Sequence, residues 1–348
     1  MQKNSKIFVA GHKGTAGTAL VENLQARGFT NLVLKSHSEL DLSSQVAVRE
    51  FFMQEKPEFV FMTAVLPCGA ANVAQRADFI YENTMMQNNV IHSSFLSRVK
   101  KLVFYGSGYM YPEKALNPLK EEYLFQGELE YGAASFGTAK LSGALMCEAY
   151  NIQYGTNFLC LAINNLYGTR ANFDFAKARV LPALLRKFHL AKLLRAKDVE
   201  ALKQDTKLND ESELKAFLNR FGISEKSVEI WGTGKVRREF LHSDDLADAS
   251  IFVMQNVNFN DLYKKGEKLI KNTHINVGTG IDYTIAEVAL IVKEIIGFDG
   301  ELVFNANKPD SSMDRLMDCS RINALGWKSK ISLEEGIKKM YEWYKNQN

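Results

Sequence analysis

Several absences narrow what this chain can be. Its four cysteines, Cys68, Cys147, Cys160 and Cys319, lack the paired spacing of a zinc site or a disulfide framework, so buried reduced thiols are expected. The six histidines also lack ligand spacing, and no metal site is expected. Charge of either sign is barely in excess. The 43 basic and 40 acidic residues leave a net +3, which gives no footprint for nucleic acid or an anionic membrane. No apolar run approaches the roughly 20 residues of a membrane-spanning helix. The first strand-like run begins at Lys6, leaving no room for a signal peptide, so the expectation is a cytoplasmic protein. There are no internal repeats and no low-complexity tract.

What is present is ordinary globular composition, 46% hydrophobic and 24% charged over 348 residues, enough for one large or two smaller domains. The most informative stretch opens the chain. Lys6-Ile-Phe-Val-Ala10 leads into Gly11-His-Lys-Gly-Thr-Ala-Gly17, and a helical pattern follows directly. A strand, a glycine turn and a helix start in that order suit a dinucleotide. Gly11 permits the tight turn, Gly14 lets backbone approach a pyrophosphate, and Gly17 lets helix pack against strand. The N–H groups of Thr15 and Ala16 at the helix start then face the anion.

Strand-like runs at 6–10, 31–34, 59–63, 101–105 and 157–163 alternate with helical runs at 45–54, 78–99 and 138–154. Near-continuous apolar strands in that alternation predict an α/β fold, a Rossmann-type doubly wound parallel sheet with ligands at the strands' carboxyl ends. The second half predicts a helix over 180–194, strands at 227–230, 238–242 and 301–304, and helices over 284–296 and 333–345. The expected division is 1–168 plus 229–258 for a Rossmann-type dinucleotide-binding domain, and 169–228 plus 259–348 for a smaller α/β substrate-binding domain. The charged segment 197–221 reads as amphipathic helices inserted at about 195–226. They would serve as a cover over a substrate pocket, an oligomer contact or a solvated insertion.

One further absence concerns the cofactor. A site preferring NAD usually places Asp or Glu at the end of the second strand, to accept from the ribose hydroxyls. Here that strand ends Leu34-Lys35-Ser36-His37. Lys13, Lys35 and His37 suit a 2′-phosphate instead, which favours NADP(H). Asp41 and Leu42 follow at a spacing suited to adenine, and Ala64 ends a strand beside which the cofactor would run.

At this point the chain resembles the extended short-chain dehydrogenases/reductases, and among them the GDP-L-fucose synthases, over nearly its whole length. The resemblance rests on the glycine turn, Ala77-Asp-Phe-Ile-Tyr-Glu-Asn83, Gly106-Ser107, Tyr111-Pro112, Asn165-Leu-Tyr-Gly168 and Val180-Leu-Pro-Ala-Leu-Leu-Arg186. It continues through Arg238-Glu-Phe-Leu-His-Ser-Asp-Asp245 and His274-Ile-Asn-Val-Gly-Thr-Gly280. The segment 197–221 has no counterpart in that pattern.

The resemblance implies a Ser, Tyr and Lys set for delivering a proton to a carbonyl as hydride arrives. Ser107 and Lys140 match it. The Tyr position holds Phe136, which cannot donate a proton. Three explanations stay open: another hydroxyl (Tyr109, Tyr111 or Tyr131) or a water takes over, the Phe disables turnover, or the protein binds its ligands without turning them over. The family's Cys and His that exchange protons at C3 and C5 are matched by Tyr109 and Arg179. A guanidinium is a poor base, and a phenol is a poor one near neutral pH. Reduction at C4 without epimerisation is therefore implied. The substrate implied is a GDP-linked 4-keto sugar, either heptose or 6-deoxyhexose, for capsule or surface polysaccharide. The alternatives are the bifunctional fucose synthase and a non-catalytic binder of NADPH or nucleotide sugar. The resemblance also implies guanosine contacts from Asn165, Val180, Leu184 and Trp231, a further substrate contact from Lys187, and diphosphate contacts from Arg238, Lys308 and Arg315. It further implies a homodimer in which helices 78–99 and 138–154 pair as a four-helix bundle.

Overall fold

The computed structural model of the chain describes residues 1–67, 74–308 and 315–347; Cys68 lies outside them. The first half runs β1 (Ile7–Ala10), α1 (Thr15–Ala26), β2 (Leu32–Val33), α2 (Gln45–Glu55), β3 (Phe59–Met62), α3 (Arg76–Leu96), β4 (Lys101–Tyr105), α4 (Ala134–Tyr154), β5 (Phe158–Ile163) and β6 (Leu166–Tyr167). It continues with α5 (Val180–Arg195), α6 (Val199–Thr206), α7 (Glu211–Arg220), β7 (Ser227–Trp231), β8 (Arg237–Glu239), β9 (Leu241–His242) and α8 (Ser243–Asn256). The chain closes with β10 (Ile275–Val277), β11 (Asp282–Thr284), α9 (Ile285–Ile296), β12 (Glu301–Asn305), α10 (Ser320–Ala324) and α11 (Leu333–Lys345).

The central sheet has six parallel strands in the order β10-β5-β4-β3-β1-β2. β1, β3 and β4 are buried at every residue, as a sheet covered on both faces requires. Helix α1 packs with α8, and α3 packs with α2 and α4. Strand order reverses at β1, which pairs with both β2 and β3, so the switch point lies where the glycine turn leaves β1. A lysine within β4 is accounted for locally. The buried Lys101 ammonium donates to the carbonyls of Val253, Met254 and Val257, capping the C-terminal end of α8.

By contact the chain divides into two compact units. The first holds Met1–Leu166, Glu239–Ile281 and Arg315–Lys330, and the second holds the described residues of Tyr167–Arg238, Asp282–Asp314 and Ile331–Asn348. This division differs from the expected one because β10, too short to show periodicity, pairs with β5 in register Ile275↔Leu161. The second unit carries its own parallel pair, β7 with β12, and α5 packs on both α9 and β7. Among the described residues no helix is long and apolar enough to cross a membrane, and no His/Cys/Asp/Glu group could hold a metal ion.

Candidate active site

The glycine turn is built by close approach of backbones. Gly11 has φ +87°, and a Cβ there would lie 2.6 Å from Ala64 Cα. A Cβ on Gly17 would lie 2.2 Å from Gly11 O and 2.7 Å from His12 Cα. Gly14 is different. It is exposed at the N-cap of α1, with φ −76°, and its Cβ would meet only Gly11 O, at 3.5 Å. Open space therefore lies before a helix start that has no side-chain cap and no acid in its first turn. His12 Nδ1 is buried without a hydrogen bond, and burial lowers the ring's pKa. This cradle fits a dinucleotide pyrophosphate. Gly17→Ala is expected to lower stability by ~1–3 kcal/mol through overpacking against backbone. Gly14→Ala should change thermal unfolding little, and equal effects from the two would contradict this account of the turn.

Around the second strand, Lys13 and His37 are exposed and Lys35 is half-buried. Asp41 accepts from Ser43 N–H at 2.9 Å and from its hydroxyl at 2.7 Å, which lowers its pKa. Leu42 is buried, and its carbonyl accepts from Asn89 of α3 at 3.0 Å. Sequence reading passed over Glu39, whose carboxylate folds back onto the Ser36 N–H at 2.8 Å. An acid therefore does lie beyond the strand, engaged with the turn itself.

At the carboxyl end of β4, Ser107 is buried and its Oγ accepts from Tyr109 N at 3.2 Å. Lys140, on α4, is 3% exposed, with Nζ 4.9 Å from the Phe104 ring centroid and 6.0 Å from that of Phe136. No carboxylate among the described residues pairs with it, and burial pushes its pKa down to about 8. An unpaired ammonium in such a place is a functional signature, because it carries an unrepaid desolvation cost. Phe136 is buried and meets Tyr109 edge-on, ring centroids 6.2 Å apart at 84°. Tyr111 is fully buried, its hydroxyl donating to Asn276 Oδ1 at 2.6 Å and lying 2.7 Å from His274 Nε2. Tyr131 is 73% exposed, with the Arg76 guanidinium over its ring.

Arg315 is buried against this same turn. It donates to Gly108 O at 2.7 Å and Glu130 Oε2 at 3.1 Å, and its guanidinium lies 4.8 Å from the Tyr109 ring centroid. Asn164 donates to Arg315 O at 3.0 Å and to Glu239 Oε2 at 3.4 Å. Glu239 accepts from the N–H groups of Thr279 (2.7 Å), Gly280 (2.8 Å) and Met317 (3.1 Å). Burial pushes the Glu239 carboxyl up, against those donors, which favour its charged form. Asn165 donates to Glu239 O at 3.1 Å. Sequence reading singled out Arg315 and Asn165 but missed Asn164 and Glu239 as the tie between four separate segments. Glu239 lies within the Arg238–Asp245 motif, whereas Asn164 stands one residue before Asn165-Leu-Tyr-Gly168 and carried no signal.

In the second unit, α5 presents Val180, Leu184 and Lys187 at helical spacing. Val180 is exposed and Leu184 buried. Trp231 ends β7 and is 55% exposed; Lys308 Nζ lies 5.2 Å and Lys187 Nζ 5.8 Å from its ring. Lys187 donates to Glu229 O at 2.7 Å, and burial pushes its pKa down to about 8. Arg238 is half-buried and donates to Arg237 O at 2.6 Å. Arg179 is the exposed N-cap of α5. An aromatic face flanked by ammonium groups suits a flat, anionic ligand.

Fold and site together define a nucleotide-cofactor enzyme of the doubly wound α/β class, and the chain belongs to the NAD dependent epimerase/dehydratase family, which it matches over residues 7–278. More particular likenesses run the full length. The chain is 73% identical to a solved GDP-6-OMe-4-keto-L-xylo-heptose reductase from C. jejuni, covering 100% of this chain and 99% of that one with TM-score 0.96. It is 72% identical to a GDP-mannoheptose C4 reductase from Campylobacter jejuni solved with NADP bound, covering 99% of each at TM-score 0.91. GDP-L-fucose synthase 1 of Arabidopsis thaliana is 42% identical, covering 98% of this chain and 94% of the relative. The Escherichia coli K12 GDP-L-fucose synthase is 38% identical, covering 97% and 96%.

Proposed function

We propose that this chain reduces the C4 keto group of a GDP-linked 4-keto sugar, foremost a heptose, using NADPH and leaving C3 and C5 unepimerised. The observation that carries the reading is the 73% identity over the entire chain to a GDP-4-keto-heptose reductase. NADP(H) is the cofactor, and it supplies the hydride when bound. Gly11, Gly14, Thr15, Ala16 and Gly17 would hold its pyrophosphate, and Lys13, Lys35 and His37 its 2′-phosphate. Asp41, Leu42 and Ala64 would lie along the adenosine, and Lys140 would hold the nicotinamide ribose. Ser107 hydrogen-bonds the keto oxygen and Tyr109 gives it a proton. Asn165, Val180, Leu184, Lys187 and Trp231 would receive the guanosine, and Arg238 and Lys308 the diphosphate, with Arg179 beside the sugar.

Loss of epimerisation is supported by Tyr109 and Arg179, a phenol and a guanidinium where the fucose synthase pattern has the Cys and His that exchange the C3 and C5 protons. A homodimer through α3 and α4 is part of the proposal. Ile80 and Leu145 are exposed there, whereas Phe79 and Ile91 belong to the core. The product would feed capsule or surface polysaccharide assembly, from the cytoplasm where nucleotide sugars are made.

The reading is tested by following NADPH consumption with a GDP-4-keto-heptose in deuterated water. One equivalent consumed per C4 alcohol, without deuterium at C3 or C5, is expected. Deuterium at either carbon would restore the bifunctional synthase. Binding of both ligands without consumption would leave a non-catalytic binder.

A further inference from the structure

The insertion that the fucose synthase pattern lacks folds as α6 and α7, and its apolar faces are occupied. Phe217 and Phe221 lie 5.0 Å apart and close on Phe175 at 5.8 and 4.5 Å between ring centroids. Arg186 of α5 joins them, its guanidinium 5.1 Å from the Phe175 ring and 5.9 Å from that of Phe217. The same guanidinium donates to Asp205 Oδ1 at 2.9 Å, to Asp205 O at 3.1 Å and to Phe173 O at 3.1 Å. Asp205, on α6, is buried and also accepts from the Tyr344 hydroxyl of α11. Phe173 in turn packs on Trp343 and Tyr344, with ring centroids 6.2 and 4.5 Å away.

Alternate residues of the approach to α5 are thus gripped by different helices, Phe173 by α11 and Phe175 by α7. Just beyond them, Asp174 O accepts from Lys177 N at 2.8 Å and Ala178 N at 2.6 Å, and this turn delivers the chain to Arg179. An approach segment outside any strand must be ordered by side-chain contacts, or its backbone stays free. A solvated appendage would leave the inner faces of α6 and α7 unburied; here Leu202, Leu214 and Leu218 are buried as well.

We propose that 197–221 is a brace that fixes the course of 173–179, which makes Phe217, Phe221 and Asp205 positioning residues for Arg179 and so for sugar specificity. The specificity part rests on the reading of α5 as the substrate helix. Arg186 links brace and helix: its two bonds to Asp205 and one to Phe173 couple the insertion to the loop through one planar group.

The test uses the full chain carrying Phe217→Ala with Phe221→Ala, and separately Phe217→Leu and Asp205→Asn. Hydrogen exchange is read at the Lys177 and Ala178 amides, beside KM for the GDP-4-keto-heptose and Kd for NADPH. In the double variant, exchange and sugar KM should each rise by about tenfold or more while NADPH Kd holds, and Phe217→Leu should recover most of both. Unchanged exchange in the folded double variant, or faster exchange there with unchanged sugar KM, overturns the proposal. Should the double variant not fold, Asp205→Asn, which weakens the bond from Arg186, decides by the same readouts: faster exchange with a raised sugar KM supports the brace, and parent-like values overturn it. Failure of the reductase reading shows separately, as a parent enzyme inert towards the sugar, and exchange then still decides whether the brace exists.

Discussion

Tyr109→Phe is expected to lower kcat by about 10²–10⁴-fold, the usual cost of losing a positioned proton donor. The KM values for sugar and NADPH should stay near those of the parent. Ketone reduction needs a proton for the oxygen as well as a hydride for the carbon, and Phe136 has none to give. Of the three tyrosines that could serve, Tyr111 has its hydroxyl committed to Asn276 and His274 inside the core. Burial pushes His274 down to about 3, so that ring stays neutral and draws no proton from the pair near neutral pH. Tyr131 stands in solvent under Arg76. Tyr109 is half-buried, lies edge-on to Phe136, and is backed by Arg315, which also holds the Gly108 carbonyl. Adding Phe136→Tyr to the Tyr109→Phe enzyme should restore much of the rate. A Tyr109→Phe enzyme as fast as its parent, together with a gain of several decades from Phe136→Tyr alone, would mean that residue 136 disables this chain.

Replacing Lys140 by Met should cost activity and add stability. A fall of kcat by about 10²-fold or more is expected if the ammonium acts at the reacting end of the cofactor. Stability should move the other way, because an ammonium whose pKa drops from 10.5 to about 8 on folding carries about 3 kcal/mol of unfavourable burial. The sign follows from proton counting. Below about pH 8 both folded and unfolded chains hold the proton, and the cost is present in full. Between about 8 and 10.5 the unfolded chain holds it and the folded chain does not, so parent stability rises with pH. The advantage of Lys140→Met in urea unfolding should therefore be largest near neutral pH and shrink towards pH 10.5, while parent activity fades above about pH 8. An advantage unaltered by pH would mean that Lys140 is not desolvated in its charged form.

Much of the first unit was legible because its signals are local. Strands β1, β3, β4 and β5 are short apolar runs bounded by turns, and the glycine turn follows a strand and opens a helix in one unbroken stretch. Helices α9 and α11 carry their own signals, a Thr284–Glu287 capping box and a Ser332 N-cap. Three things were not legible, each through distance along the chain. β10 has three residues, and only its pairing with β5 makes it a strand. Arg315 looks like any exposed anion ligand by type, but its partner Gly108 lies 207 residues away. The amphipathic pattern of 197–221 predicted one or two helices with apolar faces, and two are present. It could not say that Phe175 and Arg186 pack on Phe217 at one of them.

The discontinuous make-up of the first unit has a consequence during synthesis. When β5 leaves the ribosome at Ile163, one edge of its backbone has no neighbour, because the strand that covers it begins only at Ile275. At the usual ~5–20 residues per second, roughly a hundred intervening residues keep that edge uncovered for about 5–20 seconds. The run Phe158-Leu-Cys-Leu-Ala-Ile163 is apolar throughout, the kind of open edge that pairs with other chains. That edge stays open while α5 through α8 are being made, and a chaperone that shields strand edges would act in that interval.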